Sequence, residues 1–185
     1  MKTVFIDRDG VINKDPGGFT EHGYVTKWED FHFIPGSLSA LKTLKENNID
    51  VMLISNQAGV GKGCFTKNDL EAVSSNMLKE VEKAGGRIKG VFYCIHKKED
   101  ECVCRKPKAG LFFQAVKKYG IDAKGAYFIG DSLTDVLAGK AAGLGTILVL
   151  SGKASREEAR QWPQKPDHIF DDLAEAAGWL IEKER

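Results

Sequence analysis

The sequence predicts an α/β fold, a three-layer αβα sandwich around a mainly parallel sheet. Three observations carry that expectation: short apolar runs recur along the chain, they are continuously apolar rather than alternating, and amphipathic stretches separate them. Continuous apolar runs suit strands buried on both faces, and a strand–helix–strand rhythm places helices on both sides of a parallel sheet. With 185 residues, 42% hydrophobic and 29% charged, the chain reads as one globular domain over residues 1–185, long enough for its own core.

The elements follow in order. Thr3 to Ile6 is the first strand. Pro35-Gly36-Ser37 opens a helix with Leu38, Leu41 and Leu44 at helical spacing. Val51 to Ile54 is the second strand, and Thr66 caps the next helix with Asp69 as its acidic first-turn partner. A third strand, Gly90 to Tyr93, precedes a helix from Gly110 to Tyr119. Ala126 to Ile129 and Thr146 to Leu150 are strands flanking a helix from Ser132 to Ala142. A short strand at Asp167 to Phe170 and a helix from Asp172 to Glu182 close the chain. The whole is Rossmann-like, with no room for a large cap domain.

Two stretches break the rhythm. Asn13 to Phe33 is polar, aromatic and long for a connection, so it is either a functional loop or a small hairpin. Lys153 to Pro166, polar with two prolines, reads as a surface excursion.

Charge and composition exclude several classes. Lys plus Arg number 27 against 26 for Asp plus Glu, a net charge of +1, which argues against a nucleic-acid binder. No apolar run approaches the roughly 20 residues of a membrane span. Asp7 and Asp9 stand where an export signal would be apolar. A cytoplasmic monomer, with neither membrane nor nucleic acid as partner, is expected.

Four polar clusters follow strands, and each has a bland reading beside a chemical one. Asp7-Arg8-Asp9-Gly10 can turn two carboxylates to one side, or simply close a strand as a polar turn. Ser55-Asn56-Gln57, with the glycine-rich Ala58 to Gly63, suits a phosphate or merely permits tight packing. Arg105-Lys106-Pro107-Lys108 is a surface patch, or a segment stiffened to aim Lys106. Asp131 and Asp135 share a face of the new helix, where capping alone would need only one of them. Separately, Cys94, His96, Cys102 and Cys104 offer three thiolates and one imidazole, the ligand set of a closed structural zinc site, whereas a disulfide would strand the third cysteine. Such a metal would order the loop that presents Arg105 and Lys106.

The order of these clusters resembles the haloacid dehalogenase superfamily of phosphotransferases. That resemblance implies Asp7 as the nucleophile of an aspartyl-phosphate and Asp9 as general acid and base. It implies Ser55 and Lys106 as holders of the phosphoryl group. Asp131 would ligate Mg²⁺ with the Asp7 carboxylate and the Asp9 backbone carbonyl, leaving Asp135 behind the metal ligands. The cysteine loop ending Cys102-Val103-Cys104-Arg105-Lys106-Pro107 is similar to two groups within it, the heptose-bisphosphate and the histidinol-phosphate phosphatases. Asp7 to Asn13, His22 to Val25 and Ser55 to Thr66 favour the heptose group, although Lys62 and Ile95 replace its usual Arg and Pro. The resemblance thus implies a small sugar-phosphate substrate in nucleotide-heptose synthesis, touched by Asn56, Gln57, Lys62 and Arg105.

Overall fold

The computed structural model describes residues 3–184. Six parallel strands form one sheet: β1 (Thr3–Ile6), β2 (Asp50–Asn56), β3 (Gly90–Cys94), β4 (Tyr127–Gly130), β5 (Gly145–Val149) and β6 (His168–Phe170), in the order β3-β2-β1-β4-β5-β6. Among the described residues the six α-helices are α1 (Ser37–Glu46), α2 (Lys67–Lys83), α3 (Gly110–Tyr119), α4 (Leu133–Ala141), α5 (Arg156–Gln161) and α6 (Leu173–Glu184).

Alternation along the strands sorts the core into two layers. Val4, Ile6, Val51, Leu53, Ile147 and Val149 pack against α1, α2 and α6. Phe5, Met52, Ile54 and Phe128 face α3 and α4. Both faces are apolar because both are covered, which is why the strands read as continuous hydrophobic runs. Phe112 of α3 sits between Phe5 and Phe128, with ring centroids 5.5 and 4.8 Å away at steep angles.

The caps follow local chemistry. Thr66 caps α2 as expected, and Asp69 in the first turn completes a reciprocal capping box with it. The excursion expected over Lys153 to Pro166 lies mostly at the surface and contains α5, opened by a second capping box between Ser155 and Glu158. Asn13 to Phe33 forms no hairpin strands among the described residues. It makes two short 3-10 turns and is closed at its base by a bridge between Asn13 and Phe33. Among the described residues, no helix is long and apolar enough to cross a membrane.

The strand order reverses at β1, which sends the chain to β2 on one side and lies beside β4 on the other. In open α/β sheets ligands bind beyond the carboxyl ends of the strands at such a point. Asp7 leaves β1 there, with its N–H donating to Ile129 O at 2.9 Å.

Phe112 is 1% exposed, so Phe112→Ala should lower unfolding free energy by about 3–5 kcal/mol. Chemical denaturation would read this as a shifted midpoint.

Candidate active site

The site is assembled from the ends of β1, β2 and β4 and from the loop after β3. Its centre is Lys106, 3% exposed. The ammonium lies 2.9 Å from Asp7 Oδ2 and 2.6 Å from Asp135 Oδ1, and donates to Ile54 O at 3.1 Å. Burial works against its charge, but Asp135 and Asp7 more than offset that and raise its pKa. The Asn56 side chain fixes the Lys106 backbone from both sides: Oδ1 accepts from Lys106 N at 3.0 Å and Nδ2 donates to Lys106 O at 3.1 Å. The peptide joining Lys106 to Pro107 is cis.

The acids differ in their surroundings. Asp7 is held by Lys106 and by Arg8 N, which donates to its Oδ1 at 2.7 Å, yet burial prevails and raises its pKa. Asp135 is also desolvated, but Lys106 and the Ser132 hydroxyl at 2.6 Å hold it below the usual carboxylate range. Asp131 is pushed up to about 8 by burial and by the neighbouring Asp135 and Asp7. Asp9 is opposed by burial, but Arg8 at 2.9 Å, Asn13 and Gln57 lower its pKa.

Asp131 is placed by glycines. A Cβ on Gly10, whose φ is +78°, or on Gly152 would each lie 2.2 Å from Asp131 Oδ2. The same oxygen accepts from Lys153 N at 2.9 Å. Carboxylate oxygens of Asp7, Asp131 and Asp135 fall within 4.8 Å of one another. The acids lining the cavity, these three and Asp9, outnumber its cations, Arg105, Lys106 and Lys153. A hard divalent cation with oxygen ligands fits this donor set.

A cavity of about 200 Å³ is lined by Asp7, Asp9, Ser55, Asn56, Arg105, Lys106, Asp131 and Asp135, together with Tyr24, Ser132, Thr134 and Lys153. The last four carry no role in the sequence reading. Tyr24 comes from the long insert, whose length was the available signal. Lys153 lies beyond β5 and reaches the acids only through the fold. Two expected substrate contacts are placed elsewhere. Gln57 is fully buried and outside the lining, because its amide turns to Asp9 and to Ser55 Oγ, 2.8 and 3.3 Å away. Lys62 is exposed, with its ammonium 5.7 Å from the Tyr24 ring centroid.

The cysteine loop converges as well. Cys94 Sγ lies 3.6 Å from Cys102 Sγ and 3.2 Å from Cys104 Sγ, and His96 Nδ1 lies 3.7 and 3.2 Å from Cys94 and Cys104. A tetrahedral zinc with bonds of about 2.3 Å to sulfur has edges close to these lengths. The four ligand atoms fit that ion.

Paired acids around a buried lysine, at the switch point of a parallel sheet, define a phosphoryl-transfer hydrolase. The HAD-hydrolase-like family model matches residues 103–176. The D-glycero-beta-D-manno-heptose-1,7-bisphosphate 7-phosphatase of Haemophilus ducreyi is 37% identical, covering 97% of this chain and 98% of that protein. The enzyme of that name from Helicobacter pylori is 38% identical, covering 97% of each chain. The crystal structure of the B. bronchiseptica D,D-heptose 1,7-bisphosphate phosphatase, complexed with magnesium and phosphate, superposes with a TM-score of 0.90 at 32% identity over 99% of both chains. The chain belongs to this heptose-bisphosphate phosphatase family of haloacid dehalogenase-like hydrolases. It is a phosphoric monoester hydrolase.

Because Gly152 abuts the Asp131 carboxylate, Gly152→Ala should reduce kcat/KM roughly 100-fold through displacement of that acid. Steady-state kinetics beside an unchanged circular dichroism spectrum would check it.

Proposed function

We propose that this chain removes the 7-phosphate of D-glycero-beta-D-manno-heptose 1,7-bisphosphate, acting as a single-domain cytoplasmic monomer. One observation carries the reading: Lys106 is buried between Asp7 and Asp135, within the cavity that Asp9 and Asp131 also line. Near-full-length likeness to enzymes of that name supports the substrate.

Asp7 Oδ attacks phosphorus, a bond forms to the carboxylate, and the bond to the sugar oxygen breaks. Asp9 supplies the proton that the leaving alkoxide needs. Water then attacks the aspartyl-phosphate, Asp9 takes its proton, and Asp7 and inorganic phosphate are released. Lys106 and the Ser55 hydroxyl hold phosphoryl oxygens, so Lys106 neutralises charge in a site with little water to do so. Asp7, Asp131 and the Asp9 carbonyl would hold Mg²⁺, which supplies Lewis-acid stabilisation of phosphoryl oxygens when bound. Asp135 fixes Lys106 rather than touching substrate.

The second phosphate needs cations away from Asp7. Arg105 lines both the catalytic cavity and a second cavity of about 720 Å³, bordered also by Lys98 and Lys108. A substrate contact by Arg105 suits this placement, whereas Lys62 lines neither cavity. Zn²⁺ on Cys94, His96, Cys102 and Cys104 fixes the loop that carries Arg105.

The test is phosphate release from heptose 1,7-bisphosphate, histidinol phosphate and simple sugar phosphates. The heptose bisphosphate should give the highest kcat/KM, and Asp7→Asn should abolish turnover with the fold intact. Preference for histidinol phosphate would overturn the substrate, and an active Asp7→Asn the nucleophile.

Protein purified without added metal should contain about one zinc per chain. Stripping it with a chelator should lower Tm and weaken substrate binding, since structural zinc contributes about 10–16 kcal/mol of apparent binding free energy in small sites. Metal analysis and thermal melts measure both effects.

A further inference from the structure

Arg8 stands between the two acids of the first strand end and is fully buried, as are Asn13 and Gln57. All three point donors at one carboxylate. Asp9 Oδ1 accepts from Arg8 Nε at 3.1 Å, Arg8 Nη2 at 2.9 Å and Asn13 Nδ2 at 2.9 Å. Its Oδ2 accepts from Arg8 Nη2 at 3.1 Å and Gln57 Nε2 at 2.8 Å. These donors come from separate places: the β1 turn, the base of the long insert and the segment after β2.

The arrangement leaves each donor residue incompletely bonded. Among the described residues, Arg8 Nη1, Asn13 Oδ1 and Gln57 Oε1 are buried without a hydrogen-bond partner. Unpartnered buried polar atoms are uncommon and oppose stability. Three of the five such atoms among the described residues fall on the residues that grip Asp9, where placement of one side chain outweighs full hydrogen bonding.

With donors on both oxygens, Asp9 is held as the carboxylate, the state it reaches after giving its proton to the leaving group and the one that acts as general base in the second half-reaction. We propose that Arg8, Asn13 and Gln57 are positioning residues that hold Asp9 to activate the water that hydrolyses the aspartyl-phosphate. In that step the water oxygen bonds to phosphorus, its proton goes to Asp9, and the bond from phosphorus to Asp7 breaks. The inference rests on the roles proposed above for Asp7 and Asp9.

The test uses 4-nitrophenyl phosphate, whose phenolate leaves without an acid, so that only the second half-reaction depends on Asp9. Gln57→Met keeps the side-chain volume and removes the donations to Asp9 and to Ser55 Oγ. Its kcat should fall roughly 10- to 100-fold, with KM falling in step and kcat/KM unchanged. A burst of nitrophenolate and accumulation of the phosphorylated protein in the mass spectrum should accompany this, with no loss of Tm. Asn13→Ala, which leaves the Gln57–Ser55 contact in place, should show the same split. A fall in kcat/KM without phosphoenzyme in both variants would overturn the proposal and assign these residues to packing or to the transfer step. Asp9→Asn is the control: if it traps phosphoenzyme and neither other variant does, only the positioning role fails. If Asp9→Asn traps none, the role of Asp9 fails, and the positioning role with it.

Discussion

The site depends on the burial of one ammonium group. Lys106 reaches the sheet from the loop after β3, and its three contacts go to Asp7, Asp135 and the Ile54 carbonyl. A lone buried cation would be costly, but one gripped by two carboxylates and a carbonyl is compensated. Each acid in turn is kept in place by it: Asp7 at the cavity floor, and Asp135 against the start of α4. Withdrawing the ammonium would leave two desolvated carboxylates facing each other beside Asp131. The loop that carries Lys106 therefore has to be held, and Asn56 holds its backbone through two hydrogen bonds.

A second buried cation completes the division of charge. Arg8 serves Asp9 while Lys106 serves Asp7 and Asp135, so the two aspartates of the first strand end have separate partners. Their properties diverge accordingly: Asp7 is raised by burial, and Asp9 is lowered by its guanidinium neighbour. Two like groups two residues apart acquire different chemistry from what surrounds them, a familiar route to distinct roles in one site. Asp131 is paired with neither of these cations; its partner is Lys153, whose backbone N–H donates to it.

The sheet was legible because its strands are buried on both faces, which turns Val4-Phe5-Ile6 or Ile147-Leu148-Val149 into unbroken apolar text. Helices of ten residues or more were legible through their period and caps. The six residues of α5 are too few for a period, so the polar segment read only as a surface excursion, although Ser155 and Glu158 held the capping signal. Within the site, residues that follow a strand directly were found by position. Gln57 was read toward the substrate because an amide near a strand end can turn either way, and only the location of Asp9 decides. Arg8 eluded the reading because the chain leaves the strand at Ile6, so strict alternation no longer applies. Lys153 is joined to Asp131 by tertiary structure alone.

The central pairing of β1 with β4 also has a kinetic side. Asp7 and Asp131 directly follow the neighbouring strands β1 and β4 but are separated by more than half the chain, and β2, β3 and three helices intervene. Closing so long a loop is entropically slow compared with forming local helices or the earlier strand pairs. The two acids therefore cannot meet in a nascent chain that has folded only its first half. Phosphatase activity appears only after the long-range pairing closes, so regain of turnover during refolding times the formation of the sheet's middle.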